Sequence, residues 1–193
     1  IPEGITKIGA YAFYGQTGIT SVTLPEGVTS IGAYAFSGCS GLKEIKLPTT
    51  LTSIGGGAFR ETRRLKSITI PEGVTTISGS TFSGSSHTSG GIGLVEIRLP
   101  KSVTKIGSYA FDNDTFTQII YSGTEEDFAK ITVEATNNSA FKAAYVVYES
   151  DLEEGLEFAL NEAGNAYTIT GYNGAETQLE IPEAIGLFPV TQI

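Results

Sequence analysis

The 193-residue chain carries 12 Lys and Arg against 21 Asp and Glu, a formal charge of −9, with 24 Gly, one Cys, and neither Met nor Trp. Nucleic acid is recognised by basic faces that release counterions, so this balance argues against it as a partner, and an anionic membrane surface is disfavoured for the same reason. No stretch approaches about eighteen consecutive apolar residues, so no membrane insertion is expected. The single Cys39 excludes an intrachain disulfide and a cysteine-based zinc site. Abundant Thr, Ser, Ile, Tyr and Gly favour strands and tight turns over long helices.

Taken in order, the chain repeats itself. Pro2, Pro25, Pro48, Pro71 and Pro100 are spaced by 23, 23, 23 and 29 residues, and Phe13, Phe36, Phe59, Phe82 and Phe111 follow the same steps. Two independent series with one period and one shared slip mean five coils, the fourth holding a six-residue insertion. Apolar columns run through Ile5, Val28, Leu51, Val74 and Val103, and through Ile8, Ile31, Ile54, Ile77 and Ile106. Gly9, Gly32, Gly55 and Gly107 follow the second column, with Ser78 in the remaining coil, and a tight chain turn is expected there. An Ala-Phe pair comes next, with Thr81 in place of Ala in one coil, and is predicted to occupy a single helical or 3₁₀ turn.

Each coil closes on an L-x-x-I-x-L pattern, as in Leu42-Ile45-Leu47, whose alternation predicts a strand with one buried face. Stacked at about 4.8 Å per coil, these strands form a parallel sheet, and each coil buries its columns only against its neighbours. The unit LPEGVTSIGAYAFSGCSGLKEIKLP resembles the BspA-like, or Treponema-type, leucine-rich repeat of bacterial surface and secreted proteins. The resemblance covers residues 1 to about 121. It implies an α/β-type, β-rich leucine-rich repeat solenoid of right-handed coils, a parallel sheet, short 3₁₀ turns and a C-terminal cap. Cys39 stands at the family's Cys position, where Gln16, Thr62 and Ser85 stand in other coils.

From Ser122 the pattern stops. Thr124 with Glu125, Glu126 and Asp127 reads as a capping box, predicting a short helix through Lys130 with Phe128 and Ile131 toward the last coil. Phe141 to Tyr148 reads as an apolar strand, and by resemblance 122–150 is a cap over the open end of the array of residues 1–121. Residues 151–155 read as a polar linker. Leu156 to Leu160 and Tyr167 to Ile169 then alternate around a turn, as a hairpin does. Pro182, Ile185 and Pro189-Val190-Thr191-Gln192-Ile193 look like the start of a second array within 151–193. Ile1 falls inside a repeat and the N-terminus lacks the pattern of a signal peptide, so a longer parent chain is expected.

Chemistry is sparse. His87 is the only histidine and lies two coils from Cys39, about 10 Å by strand spacing, which disfavours a Cys-His dyad. Gly90 to Gly93 lacks the lysine of a phosphate loop, and no nucleophile-elbow motif is present. Asp112 and Asp114 offer oxygen ligands for an ion or, alternatively, an Asx-type turn. Glu125, Glu126, Asp127, Asp151, Glu153 and Glu154 are explained by a helix cap and a solvated linker. Asn113-Asp114-Thr115 and Asn137-Asn138-Ser139 match the glycosylation pattern. No enzyme, metal or cofactor is predicted.

Binding is the remaining class. Outward strand positions Ser21, Thr23, Glu44, Lys46, Ser67, Thr69, Glu96, Arg98 and Gln118, with Ile120, are expected to form one continuous sheet face open to a partner. A second candidate is the inserted loop with Ser86, His87 and Thr88, and a third is the basic cluster Arg60, Arg63, Arg64 and Lys66, suited to an acidic partner or glycan. The resemblance implies an extracellular or cell-surface segment that binds a protein or glycan, or alternatively a structural spacer.

Overall fold

The computed structural model describes residues 1–84, 93–112, 116–152, 156–161, 163–174 and 182–192. In chain order the first twelve strands are β1 (Lys7–Ile8), β2 (Ser21–Thr23), β3 (Ser30–Ile31), β4 (Glu44–Lys46), β5 (Ser53–Ile54), β6 (Ser67–Thr69), β7 (Thr76–Ile77), β8 (Glu96–Leu99), β9 (Lys105–Ile106), β10 (Gln118–Tyr121), β11 (Thr132–Val133) and β12 (Tyr145–Tyr148). Strands β1, β3, β5, β7 and β9 end on the Ile column, ahead of Gly or, after β7, of Ser78, and β11 ends on Val133; the even strands β2 to β10 carry the period-two alternation. All pairings among them are parallel and join equivalent repeat positions, Ile8 opposite Ile31 and Ile97 opposite Ile119. In β4 the period of two is visible directly, Ile45 buried between exposed Glu44 and Lys46. The even ladder is hydrogen-bonded as β2-β4 and β6-β8-β10-β12, the odd ladder as β1-β3-β5 and β7-β9-β11.

The core is a set of columns. Phe13, Phe36, Phe59, Phe82 and Phe111 stack with successive ring centroids 5.0, 5.7, 5.7 and 5.5 Å apart. Val28, Leu51, Val74, Ile31, Ile54 and Ile77 fill the space beside them and are sealed from solvent. No coil could bury these side chains alone, so the stack is the folding unit.

The Ala-Phe segment departs from the helical or 3₁₀ turn expected of it. In the second coil the amides alternate in direction: Ala35, Ser37 and Cys39 donate within the coil to Gly32, Tyr34 and Phe36, while Tyr34, Phe36 and Gly38 donate to Gly56, Ala58 and Arg60 of the next. Left-handed residues make this alternation possible, with φ between 55 and 66° at Tyr11, Tyr34, Gly57, Ser80 and Tyr109. A helix would spend every amide internally and leave the next coil unbonded.

The conserved spacing of glycine after the Ile column also has a different cause from the expected tight turn. Gly32, Gly55 and Gly107 donate to Ile8, Ile31 and Ile77 of the preceding coil at 2.8 Å. A Cβ on Gly55 would lie 2.5 Å from the amide nitrogen of Ala33, so close backbone approach is what excludes a side chain. Ser78 stands where the odd ladder opens between β5 and β7, and its hydroxyl donates to Ile54 O at 2.7 Å. Its Cβ holds the coils apart while its hydroxyl supplies the lost donor.

Beyond the fifth coil, 122–148 forms a further turn of the stack. Helix α1 (Glu125–Ala129) begins on the expected capping box, Thr124 accepting from Asp127 N. Strand β11 joins β9, helix α2 (Ser139–Ala143) follows, and β12 joins β10. Phe141 on α2 sits 5.0 Å from Phe111 and continues the ring column. The Ala140-Phe141 pair is thus a sixth copy of the repeat signature at an irregular step.

The hairpin expected after residue 155 is present as β13 (Leu156–Leu160) and β14 (Tyr167–Tyr172), antiparallel. β15 (Ala184–Ile185) and β16 (Phe188–Gln192) complete a sheet of order β13-β14-β16-β15. Phe158, Tyr167, Ile169 and Ile185 of this sheet form one cluster with Ile120 and Val147, outward residues of β10 and β12. The second sheet therefore lies over the outer face of the solenoid sheet at its C-terminal end.

Candidate binding face

The outward positions divide into two groups. Ser21, Thr23, Glu44, Lys46 and Thr69 are exposed and Ser67 is half-buried, so the face is open over β2, β4 and β6. Over β8 and β10 the expectation of an open face is corrected: Glu96 and Gln118 are 2% and 0% exposed beneath the second sheet. Gln118 acts as a buried hub, its Nε2 donating to Tyr167 Oη at 2.7 Å and to Glu96 Oε2 at 3.3 Å, its Oε1 accepting from Leu187 N at 2.8 Å. Arg98 is half-buried, its guanidinium 4.2 Å from the Phe158 ring centroid and donating to Phe158 O at 2.9 Å. These residues recognise the chain's own C-terminal sheet. The signal for this cover was Ile120, an apolar side chain on an otherwise polar outward row.

Burial pushes the Glu96 carboxyl up to about 7, against the opposing pull of Arg98 and of the Gln118 hydrogen bond. A raised carboxyl pKa makes the folded form the better proton binder. Stability is therefore complete below the ordinary value of 4.5 and falls by up to about 3 kcal/mol as the pH rises through 7. Glu96→Gln, which keeps an acceptor for Gln118, should flatten this dependence. Unfolding midpoints recorded between about pH 5 and pH 8 measure it; an equal slope in wild type and variant would assign the pH dependence elsewhere.

The other candidates separate as follows. The loop with Ser86, His87 and Thr88 lies outside the described residues, as does Asp114, the partner expected for Asp112. Cys39 is fully buried, its thiol donating to Phe13 O at 3.0 Å, and burial raises its pKa; it lines the core and is no nucleophile. Glu126 and Asp127 face Lys130 at 3.0 and 3.4 Å on α1. Asn138 is buried, donating to Gly107 O and Glu134 O, whereas Asn137, the acceptor position of its sequon, is exposed. Glu134 is held down to about 2 by Lys105 at 2.8 Å and by Ser108. No group of three or more metal-ligating side chains that could hold an ion occurs among the described residues.

Arg63, Arg64 and Lys66 of the basic cluster meet Lys43, Lys46 and the end of β13 along a groove of about 920 Å³. Arg60 is not among the described lining residues and lies 3.7 Å from Glu61, the carboxylate that Arg63 also faces at 3.4 Å. The groove joins the open half of the solenoid face to the rim of the covering sheet, and the coincidence of these two sequence features is invisible in either alone.

A stack of interdependent coils with one laterally open sheet defines a solenoid repeat protein whose surface suits partner binding. The family of the BspA type leucine rich repeat region matches residues 1–89 and 89–163, and the chain belongs to it. Among solved structures, a leucine rich repeat protein of T. pallidum is 34% identical with a TM-score of 0.56, over 62% of this chain and 54% of that one. A leucine rich cell surface protein from Faecalibacterium prausnitzii is 28% identical with a TM-score of 0.59, over 94% of this chain and 47% of that one. The chain thus spans about half the length of these solved chains. No curated protein matches the sequence significantly. Among the described residues no helix is long and apolar enough to cross a membrane.

Proposed function

We propose that this segment is a non-enzymatic, extracellular or cell-surface binding module that captures a protein partner on the open half of its sheet, formed by Ser21, Thr23, Glu44, Lys46, Ser67 and Thr69. The observation that carries this reading is the division of the face: its C-terminal half is buried under the chain's own second sheet, whereas the N-terminal half is polar and exposed. Cell-surface display is supported by the description of the F. prausnitzii protein. Residues 151–193 are read as a hairpin and the opening of a further array, which would make the covering sheet a joint between two arrays.

Pull-downs from solubilised cell-surface and matrix proteins test the face. Ser21→Arg/Thr23→Arg places two long side chains on it without touching the core, and a partner profile lost in this variant is the expected result. A profile unchanged by it would favour the spacer role, in which the face contacts nothing.

A further inference from the structure

The groove between the open face and the covering sheet has a composition unlike the rest of the chain. Lys43, Lys46, Arg63, Arg64 and Lys66, five of the chain's 12 Lys and Arg, line it, and Glu44 is the only carboxylate among the described lining residues. Lys46 lies 3.8 Å from Glu44, and Arg63 3.4 Å from Glu61. Arg64 and Lys66 have no ion pair among the described residues. Lys66 is moreover half-buried, with its pKa lowered by desolvation, a cation removed from water without a neutralising anion among the described residues. On a molecule of net charge −9, such a cluster sets up an attractive local field for anions.

The groove walls narrow the choice of anion. Its floor lies where the even ladder is interrupted, between β4 and β6, and it runs along both strands. One wall is Ala159, Leu160 and Asn161 at the end of β13, the outer strand of its sheet, whose far edge has no strand neighbour among the described residues. Such an edge offers backbone donors and acceptors to an extended peptide, while Leu47 and Leu160 offer apolar contact for alternate side chains. No aromatic ring is among the described residues lining the groove, and these offer no stacking platform of the kind that sugar rings and bases use.

We propose that this groove binds an extended acidic peptide segment of the protein partner, its carboxylates meeting Arg63, Arg64 and Lys66 and its backbone running beside β13. This inference rests on the binding-module reading above and specifies the chemistry of the partner.

Fluorescence anisotropy with a labelled ten-residue peptide of alternating Glu and Thr tests it. Comparison ligands are the Lys-for-Glu peptide, a heparin oligosaccharide and a single-stranded oligonucleotide. The acidic peptide should bind, the Lys peptide should not, and affinity should fall about tenfold or more between about 50 and 500 mM salt. Lys46→Glu/Arg64→Glu, both exposed positions, should weaken binding about tenfold or more, and the charge-matched Lys101→Glu/Lys142→Glu less than about twofold. No acidic-peptide binding at low salt, equal losses in the two double variants, or tighter binding of heparin or the oligonucleotide would each overturn the proposal. Should the peptide fail while Ser21→Arg/Thr23→Arg still abolishes partner capture, the groove assignment falls and the wider face stands. Failure of both removes both.

Discussion

Phe59→Ala is expected to lower the stability of the solenoid by about 3–5 kcal/mol, the range for deleting a fully buried aromatic side chain. Phe59 is 0% exposed and has a ring on each side, Phe36 and Phe82, both with centroids at 5.7 Å. Its removal opens a void in the middle of the column, and the backbone cannot collapse to fill it, because the amides of Phe36 and Phe59 tie Ala58, Thr81 and their coils at fixed spacing. Phe13→Ala, at an end of the column with one ring neighbour at 5.0 Å and partial exposure, should cost clearly less. Denaturant titrations of the two variants provide the comparison, a shift in midpoint at constant slope being the signature of lost packing. A negligible shift for Phe59→Ala would contradict a continuous aromatic column.

Tyr167→Ala should detach the covering sheet and leave the coils folded. Tyr167 is fully buried, meets Phe158 edge-on at 5.1 Å and Phe188 at 6.0 Å, and accepts from Gln118 Nε2. Losing the ring costs about 3–5 kcal/mol, and the stranded Gln118 donor adds about 1–3 kcal/mol. The apolar residues of this contact form a cluster separate from the solenoid core, so the loss falls on docking. Hydrogen exchange should then show new exposure in β13 and β14, with protection retained in β3 to β9. Tyr167→Phe keeps the ring and should cost only what the stranded Gln118 donor costs, about 1–3 kcal/mol. Uniform loss of protection across both sheets would mean that the two units fold as one.

The coils were legible in the sequence because a solenoid repeats the same burial problem every 23 residues, and each solution leaves the same letters behind. The inward columns and the strand alternation are of this kind, and the capping box at Thr124 was legible for a different reason, its signature lying wholly within four neighbouring residues. The cover over Glu96, Arg98 and Gln118 was not legible, since its contacts join residues 49 to 69 positions apart that share no period. Charged and amide residues on a strand look the same whether they face water or a hydrogen-bonded interface. Ile120 was the one discordant letter. The sixth coil was hidden by its irregular step, although Ala140-Phe141 carries the usual pair. The glycine column was visible but its reason was not, because a close approach between coils is a distance, and spacing along one chain does not contain it.

The alternation of amides along the Ala-Phe turns has a mechanical consequence. Half of each turn's donors are satisfied only by the neighbouring coil, so the coils meet at repeated backbone seams, while the other half close each turn on itself. Under tension applied at its two ends, the chain would yield seam by seam from an end. Each freed coil of 23 residues releases up to about 80 Å of extended chain. A stack built this way would lengthen under load in coil-sized steps.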